Sequence, residues 1–580
     1  MTGSMGAPQG SDPLTSGGSL GAVPGRPSLA FFTERLGPWS RAGRALCYGA
    51  IAMGVALRLA QLLANRSMSQ DESMLALNIL HRSFGGLFRR LDFLQGAPVA
   101  FLELQKVVVE SVGKDELALR LLPFVAGTVA VLLILYLARL AVAPAAVPIV
   151  VVLFAASDPL IDWTTVAKPY ALDVLLSVVL LWSGVSVLRS PESPAVLVIF
   201  AVVSTLAIWI SNPSVFTLAG ISAGLIGGAV LRKEWRRAAR FLAASLGWVA
   251  SFVTFALTLL HNLSGLQDLE CATCFGAGRS GVSGGSSASS ELHSLRASLG
   301  EFRYASGVPH FLDRGSNDVG LLVFVLALCF CIIGLYSLAR KRRELVVMLV
   351  VPLILMLIAW ALHNYPTLGR TQLFLTPSFL LAFGEGVVTA VRTASPAAAR
   401  TVLAVCGGVV VVAIVAPSIQ HLVKPRHYEE IKPALNHLSR LERAGDTVFV
   451  YYTAQYALAY YLDCRCAGRD FEKAQASGMW PERRGPGGPE AYSSALLSVP
   501  PRLVIPRFRG SSPLNYVSDF DVLRGRKRVW FLLSNIDDLR RSTLLDELSK
   551  RGTLKSSFKV GRANQAVVDV YLFDMSERDA

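Results

Sequence analysis

Two adjacent carboxylates, Asp71 and Glu72, follow the first long apolar segment of the sequence, which ends near residue 64. A carboxylate held at a membrane surface could remove a proton from the hydroxyl group of an acceptor molecule. Ser69 and Glu72 also have the spacing of a capping box, in which Glu72 bonds back to the backbone of Ser69 at a helix start. The two interpretations are compatible, because a cap would occupy Glu72 and leave Asp71 available for chemistry.

Two basic residues stand at the edges of later apolar segments. Lys168 precedes Pro169 and Tyr170 at the start of one segment, and Arg370 ends the polar stretch 363–370 before another. Arg370 has the planar fork that holds a phosphate through two hydrogen bonds. Each cation also has a simpler interpretation, in which Lys168 reaches ordinary lipid head groups and Arg370 anchors its helix at the interface.

The segment after the acidic pair predicts two amphipathic helices in the first loop. Apolar residues recur at helical spacing between Met74 and Leu91, and a second helix is expected after Pro98, since proline suits a first turn. Lys106 lies on the polar face of this second helix, and Gln95 stands in the turn before it. We expect both helices to lie at the membrane interface and to frame a site there.

The composition is that of a membrane protein with many helical spans. Of the 580 residues, 52% are hydrophobic and 17% are charged, and the mean hydropathy is +0.47. The apolar residues occur in blocks of about twenty, the length that crosses a hydrocarbon core of roughly 30 Å. Such blocks must be helices, because barrel strands are short and alternating. The net charge of +15 arises largely from short loops between the blocks, which argues against nucleic-acid binding.

Eleven membrane helices are predicted, of which the one at 144–157 is short. Residues 1–43 are rich in Gly, Ser and Pro, show no cleavable signal, and are expected to form a disordered cytoplasmic N-terminus. Residues 44–417 would form the transmembrane domain. Its helices are expected at 44–64, 117–138, 144–157, 170–188, 194–211, 214–231, 241–261, 319–339, 345–362, 371–391 and 401–417.

The basic loops predict the orientation of these helices. Arginines and lysines precede the first helix and occupy the loops at 232–240, 340–343 and 392–400. All of these loops fall on the cytoplasmic side if eleven helices follow a cytoplasmic N-terminus. The outer side would then hold the C-terminal segment and the loops 65–116, 158–169, 262–318 and 363–370.

Residues 418–580 predict a small soluble α/β domain. Helical patterns at 428–443 and 537–550 alternate with strand-like runs, and a Pro/Gly-rich insert is expected at 483–490. The strands are expected at 447–452, 502–505, 529–533 and 567–573.

The remaining motifs narrow the class of substrate. No Walker loop, Rossmann glycine fingerprint or zinc-protease motif stands out, so a cytoplasmic nucleotide site lacks support and we expect a membrane-delivered substrate. Cys271 and Cys274, like Cys464 and Cys466, would lie outside, where disulfides are permitted. Neither spacing establishes a pairing, and nothing in the sequence brings the four thiols together as a zinc site.

Four motifs in the same order resemble the GT-C glycosyltransferases. The resemblance is to the branch of protein O-mannosyltransferases and aminoarabinose transferases, glycosyltransferase family 39 and its relatives, and it spans about 44–417. The motifs are Asp71-Glu72; the run 91–98 with Glu116 and Leu119-Arg120-Leu121; the run 167–173, Ala-Lys-Pro-Tyr-Ala-Leu-Asp; and Tyr365-Pro366 with Gly369-Arg370 and Pro377.

The resemblance implies a sugar donor on a polyprenyl phosphate and an acceptor that attacks the anomeric carbon with inversion. Asp71 would be the general base, with Glu72 beside it in the catalytic pair, and Lys168 and Arg370 would hold the leaving phosphate. The protein mannosyltransferase branch is not thought to need a metal, so we expect no cofactor, although the oligosaccharyltransferase branch binds a divalent ion. The candidate substrate-binding residues are Asp158, Asp162, Lys168, Tyr170, Arg370, Gln95 and Lys106.

The sequence therefore predicts a glycosyltransferase that acts on the non-cytoplasmic face of a bacterial inner (plasma) membrane, in glycosylation of the cell envelope. A membrane transporter or flippase of a lipid or small solute is the alternative, and it would need its essential charges near the bilayer midplane. A scaffold protein with residues 418–580 as its working part is a third possibility. The sequence identifies neither the sugar nor the acceptor, which would be a protein, a lipid or a polysaccharide.

Overall fold

The structure is a computed structural model, and ten segments of the chain are described. The predictions for residues 1–39, for 264–316 with Cys271 and Cys274, and for the insert 483–490 lie outside them. The described residues are 40–93, 95–263, 317–362, 365–366, 369–410, 419–420, 429–476, 503–506, 512–560 and 568–576.

The described residues up to position 410 are mostly helical. Over these residues, each of the eleven predicted membrane helices coincides with an observed helix. The helices are α1 (Arg41–Leu63), α2 (Gln70–His81), α3 (Phe84–Leu87), α4 (Val99–Ser111), α5 (Glu116–Ala141), α6 (Val147–Ala155), α7 (Asp158–Trp163), α8 (Tyr170–Arg189), α9 (Pro194–Ile210), α10 (Ser214–Leu231), α11 (Trp235–Leu263), α12 (Asn317–Lys341), α13 (Arg343–Ala361), α14 (Thr376–Thr393) and α15 (Pro396–Val410).

Several of these helices have the length and hydropathy of membrane spans. Within the described ranges, eight helical segments are long and apolar enough to cross a membrane, and α9 is apolar but shorter. The predicted short helix, α6, has only 9 residues. Together with the sheet described below, these helices confirm the predicted fold class, a multi-pass helical membrane protein with a C-terminal α/β region.

Small residues allow α12 and α14 to pack in close contact. A side chain at Gly334 would collide with the backbone oxygen of Ala382, and one at Gly386 would collide with that of Phe330. Close backbone approach at small residues is typical of helix pairs in membranes. This pair supports the helix α14, which follows the 3₁₀ segment Gly369–Leu375 that carries Arg370.

The first loop contains the two predicted amphipathic helices, α2 and α4, with the short α3 between them. Helix α4 begins immediately after Pro98, as expected. It buries Phe101 and Val109 against the protein and exposes Leu104 and Val107. An apolar face left exposed in this way agrees with a helix at the membrane interface, a location that stays a prediction.

The C-terminal region forms a five-stranded mixed sheet with the strand order β2-β1-β3-β5-β4. β1, β2 and β3 are parallel, whereas β5 runs antiparallel to both β3 and β4. Four strands were predicted, but β4 was not, because it is an edge strand with a mostly polar, exposed sequence. The strands are β1 (Thr447–Val450), β2 (Leu503–Val504), β3 (Val529–Leu533), β4 (Thr553–Val560) and β5 (Val568–Asp574).

Helices cover both faces of this sheet, and the sheet region packs on the first loop. The helices are α16 (Ile431–Leu441), α17 (Gln455–Cys464), α18 (Arg469–Ala476), α19 (Val517–Phe520) and α20 (Asp538–Ser549). One hydrophobic core contains residues from α2, α4, α5, α16 and α17. The predicted boundary between 44–417 and 418–580 therefore stays a prediction, because the two regions share this core.

Buried polar contacts reinforce that junction. The Tyr461 hydroxyl accepts a hydrogen bond from the Met68 backbone N–H at 2.9 Å and donates one to Glu116 at 2.9 Å. Lys432 lies 2.7 Å from the same Glu116 carboxylate. Because these contacts join residues 65–116 to the C-terminal region, both must lie on the same side of the membrane, as the predicted topology requires.

Candidate functional site

Asp71 stands in the first turn of α2, where a capping box fixes the helix start. The Ser69 hydroxyl accepts a hydrogen bond from the Glu72 backbone N–H at 3.3 Å, and Glu72 Oε2 accepts one from the Ser69 backbone N–H at 3.2 Å. The predicted capping box is therefore confirmed. It gives Asp71 a fixed backbone position while leaving its own side chain out of the cap.

Glu72 is buried in an ion pair with Arg120 of α5, and only 1% of each side chain is exposed. Arg120 donates to Glu72 Oε1 from Nε at 3.2 Å and from Nη2 at 3.1 Å, and the Ala167 backbone N–H donates to the same oxygen at 3.0 Å. Burial alone would raise the pKa of Glu72, but Arg120 and Arg66 lower it below its ordinary value. These contacts join α2, α5 and the segment before α8.

Asp71 is the exposed member of the acidic pair, and it faces two cations. Its Oδ1 lies 3.0 Å from Lys168 Nζ, its Oδ2 lies 3.7 Å from Arg370 Nη1, and 39% of its side chain is exposed. Burial would raise the pKa of Asp71, but Lys168 and Arg370 outweigh this effect and lower it below the ordinary value. One carboxylate between two cations leaves a local surplus of positive charge that suits an anion.

Lys168 is nearly buried, with 6% of its side chain exposed. Its Nζ donates to Gln95 Oε1 at 2.6 Å as well as to Asp71. Burial lowers the pKa of Lys168, and Arg370 lowers it further, whereas Asp71 opposes the change. The amide of Gln95, in the turn before α4, therefore completes the group around this ammonium.

Arg370 lies against two aromatic rings that come from α7 and α8. Its guanidinium carbon is 5.9 Å from the ring centroid of Trp163 and 5.9 Å from that of Tyr170. The two rings meet edge to face, with their centroids 4.8 Å apart. The aromatic faces restrict the guanidinium by cation–π attraction. Trp163 was not among the predicted site residues.

The short segment before Arg370 is held by its own hydrogen bonds. The Tyr365 hydroxyl donates to the Thr371 carbonyl at 2.8 Å, and the Thr371 hydroxyl donates to the Pro366 carbonyl at 2.7 Å. Tyr365 also packs edge to face on Phe216, with their centroids 5.1 Å apart. This turn brings Arg370 to the end of the helices where Asp71 lies.

The structure brings together five of the predicted site residues: Asp71, Gln95, Lys168, Tyr170 and Arg370. The others have different surroundings, and their roles stay predictions. Asp162 lies buried 4.0 Å from Arg66. Lys106 donates to the Ile79 carbonyl at 3.2 Å and lies 3.2 Å from Glu110. Asp158 is buried in the first turn of α7.

One carboxyl group near the site was missed in the sequence. Glu429 precedes α16 and its Oε2 accepts a hydrogen bond from the Gln70 backbone N–H at 2.8 Å, one residue before Asp71. Burial raises the pKa of Glu429 to about 7, and the charges of Glu72 and Asp71 also raise it. No local pattern indicates this contact, because 359 residues separate the partners.

The described residues include one of the two outer cysteine pairs and allow a search for metal ligands. Cys464 and Cys466 form a disulfide beside the end of α17. Across the described segments, no group of three or more His, Cys, Asp or Glu side chains could hold a metal ion. The metal prediction is not decided by this observation and stays a prediction.

Comparisons with known proteins give matches among solved structures alone. No family model matches the chain, and no curated protein matches it. The archaeal oligosaccharyltransferase AglB from Archaeoglobus fulgidus, in complex with an inhibitory peptide and a dolichol-phosphate, matches at a TM-score of 0.43 and 13% identity. That match covers 72% of this chain and 64% of AglB, so the chain spans less than two thirds of its length.

The second kind of match is ArnT from Cupriavidus metallidurans bound to undecaprenyl phosphate, with a TM-score of 0.46 and 12% identity. It covers 92% of this chain and 98% of ArnT. At these low identities and TM-scores the likeness carries no argument about function, which is argued from the site itself.

Proposed function

We propose that the protein is a glycosyltransferase that moves a sugar from a polyprenyl-phosphate donor to an acceptor hydroxyl, with inversion. The observation that carries this proposal is the position of the Asp71 carboxylate between Lys168 at 3.0 Å and Arg370 at 3.7 Å. A base beside two phosphate-binding cations is what direct displacement at an anomeric carbon requires. The cations take up the charge of the leaving phosphate, and the base takes up the proton of the attacking hydroxyl.

The step balances with the groups of this site. The acceptor oxygen forms a bond to the anomeric carbon as the bond from that carbon to the phosphate oxygen breaks. The proton of the acceptor hydroxyl passes to Asp71, and the electron pair of the broken bond leaves with the polyprenyl phosphate. Lys168 and Arg370 stabilise the added negative charge on that phosphate through charge-assisted hydrogen bonds.

The ion pairs of Asp71 suggest how the base becomes active. Without substrate, Lys168 and Arg370 hold the pKa of Asp71 below its ordinary value, so the carboxylate is a weak base. A donor phosphate would compete for both cations, and the pKa of Asp71 would then rise. Binding of the donor would in this way prepare the base for the acceptor.

Glu72 is assigned a positioning role in this proposal. Its carboxylate is buried against Arg120 and closes the capping box, so it has no exposed surface for a substrate. It fixes the backbone on which Asp71 stands and also bonds to the Ala167 N–H, next to Lys168. Glu72 therefore sets the spacing between the base and one of the phosphate-binding cations.

The proposed side of the reaction is the non-cytoplasmic face. Tyr170 lies in the site at the start of α8, whereas Arg189 ends α8 and donates to the Leu140 carbonyl. At that same opposite end, Lys341 pairs with Glu385. The basic loops therefore lie away from the site, and the positive-inside rule places those loops in the cytoplasm. A transporter would instead need its essential charges near the middle of these helices.

The proposal is tested with purified protein in lipid nanodiscs and a panel of polyprenyl-phosphate sugars and acceptors. Release of free polyprenyl phosphate is measured for the wild type, for Asp71→Asn, and for Asp92→Asn as a matched control. Asp92 belongs to the same loop but pairs with Arg82 at 3.0 Å. We expect a loss of about 10²-fold or more in Asp71→Asn alone. Equal release from all three proteins would remove Asp71 from its role.

A further inference from the structure

The C-terminal sheet has a topological switch point at the carboxyl ends of its parallel strands β1 and β3. β1 lies between β2 and β3, so the chain passes from β1 to one neighbour and then crosses to the other. Such a reversal of strand order opens a crevice at the carboxyl ends of the two central strands, where α/β proteins commonly bind ligands. Here Tyr451 and Tyr452 follow β1, and Ser534 and Asn535 follow β3.

Aromatic rings pack together at these strand ends. The ring of Tyr452 stacks on that of Tyr516, with centroids 5.2 Å apart and an angle of 12° between the planes. Tyr451 lies 4.6 Å from Tyr452, also centroid to centroid. Tyr451 and Tyr516 are fully buried, whereas Tyr452 is half-buried. The two buried rings therefore fix the orientation of the Tyr452 ring at the surface.

Polar side chains of both signs surround these rings. Asn535 and Asp537 are exposed at the end of β3, and Asp537 Oδ2 lies 3.2 Å from Arg540 Nε. The Ser534 hydroxyl is buried and has no hydrogen-bond partner among the described residues. Asn535 has a φ of +52°, in the left-handed region that asparagine adopts more readily than most residues other than glycine.

This crevice adjoins the proposed transfer site. Asn535 Nδ2 donates to Gln70 Oε1 at 2.9 Å, and Gln70 directly precedes Asp71. Tyr456, at the start of α17, packs edge to face on Phe93, with their centroids 5.1 Å apart. The carboxyl ends of β1 and β3 therefore face the loop that carries the base.

We propose that this strand-end crevice, lined by Tyr452, Ser534, Asn535, Asp537 and Arg540, binds a carbohydrate portion of the acceptor. The inference rests on the proposed transferase function and adds the chemical class of the acceptor. The flat Tyr452 ring, stiffened from behind, suits the C–H face of a sugar ring. The amide, carboxylate, guanidinium and hydroxyl groups around it match the mixed donors and acceptors of sugar hydroxyl groups.

A peptide acceptor fits this surface less well. Extended peptides add to the open edge of a sheet through backbone hydrogen bonds, and the edges here are β2 and β4. The crevice lies at the strand ends instead, and it offers side chains rather than an open backbone edge. The contact from Asn535 to Gln70 places a bound sugar ring beside Asp71, where one of its hydroxyl groups would be the nucleophile.

The test is saturation-transfer NMR on the full-length protein in nanodiscs, with mannotriose, maltotriose and a threonine-containing hexapeptide as separate probes. Undecaprenyl phosphate binding is measured on the same samples. The variants are Tyr452→Ala and Asn535→Ala, and Tyr336→Ala serves as a control because Tyr336 is an exposed tyrosine on α12. Asn535 is exposed, so its variant reports on the crevice even if Tyr452→Ala fails to fold.

We expect saccharide saturation transfer in the wild type and in Tyr336→Ala, and at least a fivefold loss in the two crevice variants. Undecaprenyl phosphate binding should be the same in all of them. No saccharide signal in the wild type, a signal kept in both crevice variants, or binding of the peptide alone would each overturn the inference. Absence of undecaprenyl phosphate binding from the wild type would instead contradict the proposed function, so the two failures are distinguishable.

Discussion

Lys168 Nζ lies 3.0 Å from Asp71 Oδ1, across 97 residues of sequence. The contact joins the start of α2 to the segment before α8 and brings a proposed base next to a proposed phosphate ligand. Because the ammonium also donates to Gln95 at 2.6 Å, the lysine is held in place by two segments of the first loop. The proposed function requires Lys168 to give up its contact with the Asp71 carboxylate when the donor phosphate binds.

Removal of either cation should weaken donor binding. We expect Lys168→Ala and Arg370→Ala each to raise the Kd for undecaprenyl phosphate at least tenfold, which is about 1.4 kcal/mol, because each loses a charge-assisted hydrogen bond. Lys555→Ala is the control, since Lys555 lies on the exposed strand β4. Binding measured in nanodiscs checks this prediction, and unchanged affinity in both cation variants would contradict the assignment of the phosphate ligands.

Substitution of Glu72 should damage the fold more than substitution of its neighbour. Glu72→Gln leaves the Arg120 guanidinium buried without its charge partner, and removing one partner of a buried pair costs about 3–5 kcal/mol. We expect a clear fall in the thermal midpoint of Glu72→Gln and little change in Asp71→Asn, measured by unfolding in detergent. A Glu72→Gln protein that is as stable as the wild type but inactive would favour a direct chemical role for Glu72.

Glu429 should make stability depend on pH. Its pKa is raised from 4.5 to about 7 in the folded protein, so the folded state binds a proton more tightly than the unfolded state does. The resulting stability is fully present below about pH 4.5 and is lost as the pH rises through about 7. The full effect is about 3 kcal/mol at most.

The variant Glu429→Gln checks that assignment, because an amide oxygen still accepts the hydrogen bond from Gln70 N–H but does not titrate. We expect the decline of the thermal midpoint between pH 5 and pH 7 to be smaller in Glu429→Gln than in the wild type. Glu430→Gln is a matched control, since Glu430 bonds to Ser67 nearby. Identical pH profiles for the wild type and Glu429→Gln would contradict the prediction.

Transfer should not require a divalent metal ion. In the proposal, Lys168 and Arg370 provide the positive charge that stabilises the leaving phosphate, which is the part that a metal ion plays in other transferases. We expect transfer by metal-stripped protein in EDTA to stay within about twofold of the untreated rate. Loss of activity in EDTA, restored by Mg²⁺ or Mn²⁺, would show that the two cations are insufficient.

Periodic hydrophobicity and local motifs predicted much of this structure. The capping box at Ser69 and the helices other than α3 and α7 were predictable because their signals lie within a few residues of sequence. The short helix α7 was missed, since residues 158–169 were predicted to be a loop. The edge strand β4 was missed because most of its residues are polar and exposed. The strand-like runs for β1, β3 and β5 were visible because those strands are buried.

The candidate site was predictable as a set of residue types but not as an arrangement. Asp71, Lys168 and Arg370 were selected for their charge beside apolar segments, and they meet in the structure. The contact from Glu429 to Gln70 has no such signal, because it depends on how the C-terminal region packs on the first loop. Lys106, chosen from a helical face, is instead bonded within the first loop.

The most direct test of the central claim compares the affinity of the wild type and Asp71→Asn for undecaprenyl phosphate, with Asp92→Asn as control. If Lys168 and Arg370 exchange the Asp71 carboxylate for the donor phosphate, the substitution removes the charge that competes with the phosphate for both cations. The account predicts that Asp71→Asn binds undecaprenyl phosphate at least as tightly as the wild type, although its transfer activity is lost. A tenfold or greater loss of affinity in Asp71→Asn alone would contradict it.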